Sequence, residues 1–228
     1  MALTDRAITK IKDLIVAGEF GPGDRLPKET ELADRLGLSR NSLREAVRAL
    51  SLVGVLEARQ GDGTYVTSLE PDLLLAGTAF VSELLTGPTL RELYEVRRIL
   101  EPVATALATP RLTDEDFAAL EQSLERMGSA ETTQAFIDAD VDFHHVIVSA
   151  CGNATLASLI QNLSGSTVRS RIWRAIHERG AVESTQRLHH DIFRALQQRD
   201  AELAAATDIV HLAAGERWLQ SVSEDGAA

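Results

Sequence analysis

The sequence predicts a mainly α-helical protein, in which an N-terminal winged helix-turn-helix precedes an all-α bundle of six or seven helices. Two helical patterns around Gly37, followed by a hairpin pattern, indicate the first part. From residue 71 onward, apolar residues recur at helical spacing with no convincing strand. Residues 1–68 carry 10 Lys or Arg and 10 Asp or Glu, whereas residues 69–228 carry 13 and 24, so the whole net charge of −11 lies in the second part. We therefore expect domains over residues 1–68 and 76–222, joined by a linker over residues 69–75.

Three helical patterns open the chain. The first covers residues 4–17 and has four apolar residues on one side: Ile8, Ile11, Leu14 and Ile15. The second has Pro27 in its first turn, where the missing N–H costs little, and ends at Gly37. The third runs from Ser39 to Val53, and Ser39 is a good N-cap because its hydroxyl accepts from an unpaired backbone N–H.

The third helix has one basic face. Arg40, Arg44 and Arg48 recur every four residues and so share a side, while apolar residues occupy the opposite side. Such a helix can enter the major groove of DNA, where arginine pairs with guanine edges and with phosphates. The alternative is a solvated amphipathic helix, and the neighbouring elements favour DNA binding.

A hairpin pattern follows this helix directly. Strand patterns cover residues 55–58 and 64–67, and Gly61-Asp62-Gly63 forms the turn between them. A helix-turn-helix followed so closely by a hairpin predicts a winged domain. Because this domain carries no net charge, we expect weak non-specific DNA binding, since phosphate attraction supplies most of that affinity. Specific binding then requires two copies, which predicts a homodimer on a palindromic double-stranded operator.

The second part consists of predicted helices separated by Gly and Pro. Gly165 lies inside one long pattern, which is therefore expected to be either one helix or two. The helical patterns cover residues 71–86, 89–108, 114–128, 133–150, 154–178, 182–198 and 201–222.

The cysteine content and the lengths of the apolar runs indicate the cellular compartment of the protein. Cys151 is the single cysteine, which excludes an internal disulfide and suits a reducing cytoplasm. The longest apolar run, near residues 73–81, is too short to span a bilayer. We expect a cytoplasmic protein without a membrane partner.

Polar residues stand on apolar helix faces in the second part. Asp140 and His144 lie four residues apart on the apolar side of the 133–150 pattern. His189 and His211 occupy apolar sides of two further helices. A buried carboxylate needs a partner or a metal ion, and Asp/His at this spacing can share one cation. The alternative is an Asp140–His144 ion pair with two unrelated core histidines, and spacing alone does not decide between them.

Arg97 also lies on the apolar side of its helix, with Leu93, Leu100 and Ala104, whereas Arg98 points away. It is a candidate for binding an acidic ligand, because the guanidinium group matches a carboxylate in two-pronged geometry. The alternative is an internal pair with Glu101, one helical turn later.

The N-terminal part resembles GntR-type transcriptional regulators through FGPGDRLP, TELADRLGLSRNSLREAVRAL and QGDGTYV. The resemblance implies DNA contacts from the third helix and the wing tip, at Arg40, Asn41, Ser42, Arg44 and Gly61. Thr30 stands where such regulators usually carry an arginine that often reads a base, so operator preference should differ from that of relatives.

The second part resembles the FCD effector domain of the FadR branch through LYEVRRILEPVATALA, DVDFHHVIVSACGN and HHDIFRAL. Many such domains bind a divalent metal through one Asp and three His. The matching positions are Asp140, His144, His189 and His211, and zinc is the expected ion, with nickel and manganese as alternatives. In relatives the arginine matching Arg97 holds an effector carboxylate, and the other residues expected to line the pocket are Arg169, Arg171 and Trp173.

Three function classes follow from these observations. The first is a ligand-responsive DNA-binding regulator, expected to be a repressor whose effector is a small hydroxy acid or sugar acid. The second is a metallohydrolase, but the sequence has no HExxH-like motif and a winged helix has no use there. The third is a regulator for which the metal itself is the signal. We therefore expect a regulator and not an enzyme.

Overall fold

The computed structural model of the chain describes residues 3–73 and 88–225. The chain divides into two compact units, Met1–Phe80 and Val81–Ala228. The predicted helix over residues 71–86 lies outside the described residues except for its first three positions. The end of the predicted linker, residues 74–75, also lies outside them.

Residues 3–66 of the first unit contain three helices and a two-stranded antiparallel sheet. The helices are α1 (Leu3–Val16), α2 (Glu29–Leu36) and α3 (Arg40–Leu52), and the strands are β1 (Leu56–Arg59) and β2 (Gly63–Val66). Leu56 pairs with Val66, and Arg59 pairs with Gly63 at the tip. The apolar sides of all five elements form one small core, with Ile11, Leu32 and Leu43 fully buried in it.

Local sequence signals account for most of the boundaries in this unit. Ser39 accepts a hydrogen bond from the backbone N–H of Ser42 at 3.0 Å, as an N-cap should. Gly37 ends α2 in the left-handed conformation, with φ of 61°. Pro27, expected in the first turn of α2, lies two residues before the helix begins.

The strands are shifted by one residue from the predicted ranges. The N–H of Val55 donates to the α3 carbonyl of Leu50 at 2.9 Å, so Val55 closes the helix and the ladder begins at Leu56. The segment before α2 also pairs with strand β2, because the N–H of Leu26 donates to the carbonyl of Thr64 at 2.8 Å.

The described part of the second unit is an all-α bundle. Its helices are α4 (Pro88–Ala108), α5 (Asp114–Gly128), α6 (Thr133–Ser149), α7 (Ala154–His177), α8 (Ala181–Gln197) and α9 (Ala201–Asp225). Helix α4 packs along α9, and α6 packs between α5 and α7. Gly165 does not divide α7, which is one continuous helix. Fold class and element types therefore agree with the sequence predictions.

One glycine sets how closely α9 approaches α4. A Cβ atom added at Gly215 would lie 2.7 Å from Cε1 of Tyr94, and Tyr94 is itself buried. An added methyl group would therefore overlap the Tyr94 ring, and Gly215 permits this close contact.

Replacement of Gly215 by alanine should destabilise the protein by about 1–3 kcal/mol, because the extra methyl group overpacks the α4–α9 contact. The matched control is Gly165→Ala in α7, where no atom lies within 4 Å of the added Cβ. That change should stabilise by up to about 1 kcal/mol through helix propensity. Urea unfolding measures both values, and a loss at Gly215 no larger than at Gly165 would contradict the close approach.

Candidate metal centre and nucleic-acid interface

The exposed face of α3 carries most of the residues expected to contact DNA. Arg40, Asn41 and Arg44 are exposed. Ser42 is only 8% exposed, and its hydroxyl lies 2.8 Å from that of Ser39, within the helix cap. Ser42 therefore helps to begin α3, and its expected contact with DNA stays a prediction.

Arg44 has a partner on the neighbouring helix. Its Nε donates to Oε2 of Glu29, the first residue of α2, at 3.3 Å, and both side chains are about half exposed. An exposed pair of this kind contributes little to stability, so a DNA phosphate or base can compete for the arginine. The pair holds the guanidinium beside the N-terminus of α2, the element that carries Thr30.

The wing tip is held by a polar network around Asp62. The hydroxyl of Tyr65 donates to Oδ2 of Asp62 at 2.7 Å, and this hydrogen bond raises the pKa of Tyr65. Arg25 donates to the backbone carbonyl of Asp62, and Arg59 stacks on the Tyr65 ring at 4.2 Å. Gly61 is exposed at the tip with φ of 76°. The sequence analysis missed Arg25 and Tyr65, because the network depends on pairing between the segment before α2 and β2.

Four side chains converge inside the bundle from three helices. Asp140 and His144 lie on α6, His189 on α8 and His211 on α9, and all four are buried. Nε2 of His144 lies 3.1 Å from Nε2 of His211 and 3.2 Å from Nε2 of His189, while Oδ1 of Asp140 lies 3.0 Å from Nε2 of His189. Atoms bound at about 2.1 Å to one ion are themselves about 3 Å apart at neighbouring octahedral positions. The spacing therefore fits a single metal ion.

Hydrogen bonding shows where this cluster can take a proton or a metal ion. Nδ1 of His189 lies 2.8 Å from the carbonyl of Thr185, which can only accept, so Nδ1 must carry a proton. Nε2 of His189 lies 3.0 Å from Oδ1 of Asp140, a separation at which a proton or a metal ion must lie between the two atoms. A ligand histidine whose other nitrogen donates to a carbonyl is also typical of metal sites.

The electrostatics of the cluster favour the forms that bind metal. Burial acts to raise the pKa of Asp140, but the charge of Arg171 and the hydrogen bond with His189 outweigh it and hold the pKa well below its usual range. Burial, followed by the influence of His189, lowers the pKa of His144 and of His211 well below the ordinary value. An ionised carboxylate and neutral imidazoles are the ligand forms that divalent ions require.

A narrow cavity of about 30 Å³ opens beside the cluster. Asp140 and His211 form part of its wall. The other polar groups on the wall are Tyr94, Arg97, Arg171, Arg174 and Thr185, and the remainder is apolar. A metal ion at the cluster would thus stand in the wall of a cavity lined by three arginines.

Arg97 lies at this cavity, as predicted, but it is not free. It is 1% exposed, and both oxygens of Glu101 accept from it, with 3.1 Å between Nη2 and Oε2. Nη1 also donates to the hydroxyl of Thr167 at 2.6 Å. The alternative pairing with Glu101 therefore exists, and two of the five guanidinium N–H groups remain for a ligand. The charge of Glu101 outweighs burial and raises the pKa of Arg97, which stays charged.

Two predicted pocket residues lie elsewhere. Trp173 is 54% exposed and packs edge-on against Trp218, and Arg169 is exposed. Neither belongs to the cavity wall, because α7 turns this face outward. The third predicted residue, Arg171, does line the cavity, and Arg174 lies beside it in the wall. Arg174 was missed, although it follows Arg171 at helical spacing.

A second buried carboxylate lies near the cluster. Oδ2 of Asp208 accepts from the hydroxyl of Thr105 at 2.8 Å, while Oδ1 has no hydrogen-bond partner in the described part of the chain. Burial and the nearby charge of Glu101 raise the pKa of Asp208 to about 7. The sequence analysis missed this residue, although Asp208 stands one turn before His211 on α9.

Comparison with known proteins agrees with both units. Residues 3–66 match the family described as bacterial regulatory proteins, gntR family, and residues 92–214 match the FCD domain. The regulator LutR of Bacillus subtilis (strain 168) is 29% identical over 93% of this chain and 99% of its own length. The galactonate operon transcriptional repressor of Escherichia coli (strain K12) is 28% identical over 96% and 98%.

Solved structures agree in fold. A GntR protein of Streptococcus agalactiae superposes with a TM-score of 0.66 and 27% identity, covering 94% of this chain and 99% of the other. The matched domains and relatives are transcriptional regulators and not enzymes. Within the described residues, none of the helices has the length and apolar character needed to cross a membrane.

Replacement of Glu101 by alanine should destabilise the protein by about 3–5 kcal/mol, because the buried charge of Arg97 would lose its partner. The matched control is Glu95→Ala, which breaks an exposed pair with Arg91 at the same spacing on α4. That change should cost less than about 0.5 kcal/mol. Urea unfolding of both variants is the measurement, and equal losses would contradict the role of the buried pair.

Proposed function

The chain belongs to the GntR family of ligand-responsive transcriptional regulators, with an FCD domain after its winged helix-turn-helix, and we propose that it is a repressor released by a small hydroxy acid or sugar acid. The observation that carries this proposal is the polar cavity beside the cluster of Asp140 and three histidines. One unit binds the operator, and the other binds the metal and the effector.

For DNA binding, we propose that α3 enters the major groove and that the wing contacts the adjacent backbone. Arg40, Asn41 and Arg44 are the groove residues, and Gly61 brings the wing backbone close to the duplex. Ser42 supports the start of α3. The network at Asp62 keeps the wing tip in one conformation before DNA arrives, which reduces the entropy lost on binding.

A homodimer on a palindromic operator is supported by charge and by one exposed surface. The DNA-binding unit carries no net charge, so two copies are needed for tight specific binding. Helix α4 exposes an apolar stripe at helical spacing, consisting of Val96, Ile99, Val103 and Leu107, of which Ile99 is 68% exposed. Exposed apolar stripes typically mark interaction sites, and we assign this one to a second copy of the chain.

For metal binding, we propose that Asp140, His144, His189 and His211 hold one divalent ion. Three imidazole nitrogens and one carboxylate favour zinc, with nickel or manganese according to supply. When bound, the ion supplies a Lewis acid with open positions that attract carboxylate and hydroxyl oxygens. Its ligands come from α6, α8 and α9, so an occupied site would link these helices.

For the effector, we propose a small acid whose carboxylate faces the metal cluster and the remaining donors of Arg97. Two observations support this class: the wall of the cavity carries three guanidinium groups, and one relative is named for a galactonate operon, which is a sugar-acid system. Operator and effector must then influence each other reciprocally, typically by about 1–3 kcal/mol.

Arg44→Ala should weaken operator binding by about 1–3 kcal/mol, because a two-pronged arginine contact in the groove is lost. Footprinting upstream of the protein's own gene should show two symmetric half-sites, and sedimentation should give a dimer mass. The control is Arg35→Ala, which removes one charge from a pair with Glu19 in the same unit. If Arg44→Ala bound the operator like the parent at matched salt, the placement of α3 in the groove would be wrong.

Purified protein should contain one divalent ion per chain, and His189→Ala should lose both the ion and the response to hydroxy acids. The control is His190→Ala, because Nδ1 of His190 only contacts the carbonyl of Gln186 on the same helix. Elemental analysis measures the metal, and fluorescence anisotropy measures operator release. A metal-free parent that folds and still responds to an acid would overturn the metal proposal, and release by metal alone would indicate a metal sensor.

A further inference from the structure

Arg171 connects the metal cluster to the cavity. It lies on α7 with its side chain 11% exposed, and Nη1 donates to Oδ2 of Asp140, while Oδ1 of Asp140 faces the histidines. Nη2 donates to the carbonyl of Ser164 at 2.9 Å. Arg171 therefore orients a metal ligand from the side opposite the ligand atom, which is how outer groups typically hold a metal-bound carboxylate.

Two donors of the cavity wall have no acceptor within the described part of the chain. Nε of Arg171 is buried without a hydrogen-bond partner, and so is Nδ1 of His211. With Nε2 of His211 toward the metal cluster, its Nδ1 carries the proton and is also a donor. A buried N–H without an acceptor is unfavourable, and native proteins rarely leave two of them beside one cavity. Both residues line the cavity, so a ligand with acceptor oxygens there would supply the missing hydrogen-bond partners.

The charges around the cavity indicate how negative that ligand is. Arg97 is paired with Glu101, Arg174 with Glu178 at 2.5 Å, and Arg171 with Asp140. Imidazole binds a metal ion in its neutral form, so the three histidines would add no charge to an occupied site. Since every arginine already has a carboxylate, the charge of a bound divalent ion stays uncancelled by the protein. In a buried site this excess favours a ligand that carries two negative groups.

We propose that Arg171 is a second anion-binding group of this cavity, and that the effector is a dicarboxylic hydroxy acid with one carboxylate toward the metal cluster and the other on Nε of Arg171. This inference rests on the proposed function and narrows it from small acids to diacids. Arg171 then acts twice, because it positions Asp140 for the metal and donates to the distal carboxylate.

The test compares acids that share a carbon chain and differ only at one end. Galactarate and galactonate form one pair, and tartrate and threonate form the other; in each pair a terminal carboxylate replaces a CH₂OH group. Calorimetry on the zinc-loaded full chain should give the diacid a dissociation constant at least about tenfold lower than that of its monoacid partner. Equal affinities within both pairs would overturn the inference.

Two arginine variants separate the role of Arg171 from general charge effects. Arg171→Gln should bring the diacid-to-monoacid preference close to one while the monoacid still binds. Arg169→Gln is the control, because Arg169 is exposed on the same helix outside the cavity wall and should leave the preference unchanged. If both variants reduced the preference equally, Nε of Arg171 would not be the anchor.

Elemental analysis and urea unfolding accompany each variant. Arg171→Gln should weaken metal binding by about 10–100-fold, as outer partners of ligands do, so zinc is kept in excess during calorimetry. If this variant fails to fold, Arg171→Lys keeps the charge without the Nε–H at that position, and it should likewise lose the preference. Monoacids that bind and release the operator without any diacid preference would overturn this inference alone. Failure of every acid to bind would overturn the proposed carboxylate effector as well.

Discussion

The second unit depends on the balance of charges buried in the middle of its bundle. Asp140 is fully buried and ionised, and burial of a charge is costly unless a partner compensates for it. Arg171 compensates one oxygen of this carboxylate, and the other oxygen lies 3.0 Å from Nε2 of His189. The folded bundle therefore contains a buried cluster of side chains that is able to hold a metal ion. Binding of the ion and stability of the bundle should accordingly be linked.

The same balance shapes the cavity. Each arginine in its wall is positioned by a carboxylate on the protein, so the guanidinium groups are preorganised before a ligand enters. Preorganised donors lose little conformational entropy on binding. The hydroxyls of Thr105 and Thr167 and the carboxylates of Glu101 and Asp208 extend this polar network between α4, α7 and α9. A ligand that changes the charge at the cavity would therefore act on the packing of several helices at once.

The DNA-binding unit is built on a different principle. Its small apolar core positions α3, while its surface pairs arginines with acidic neighbours, as in Arg44 with Glu29 and Arg25 with Asp62. These exposed pairs are weak and exchangeable. They keep the free unit neutral and orient the side chains, and DNA phosphates can replace the acidic partners. In the proposed homodimer, affinity would then come from paired half-sites and specific contacts more than from general attraction to the duplex.

The sequence by itself determined the elements, because these depend on periodicity and turn residues along the chain, whereas the ligand set stays a prediction that rests on the resemblance to FCD domains. Ser39, Gly37 and the hairpin glycines place the winged unit, and Asp140, His144, His189 and His211 each stand on the apolar side of a helix. Only the tertiary structure decided which groups face the cavity. Residues two apart on a helix point to nearly opposite sides, so the choice between Arg169 and Arg171 depends on the rotation of α7. That rotation is set by packing against helices distant in sequence, and the pattern within α7 does not contain it. The contact of Arg97 with Thr167, the pairing of Arg171 with Asp140 and the burial of Asp208 were decided in the same way, by contacts between helices.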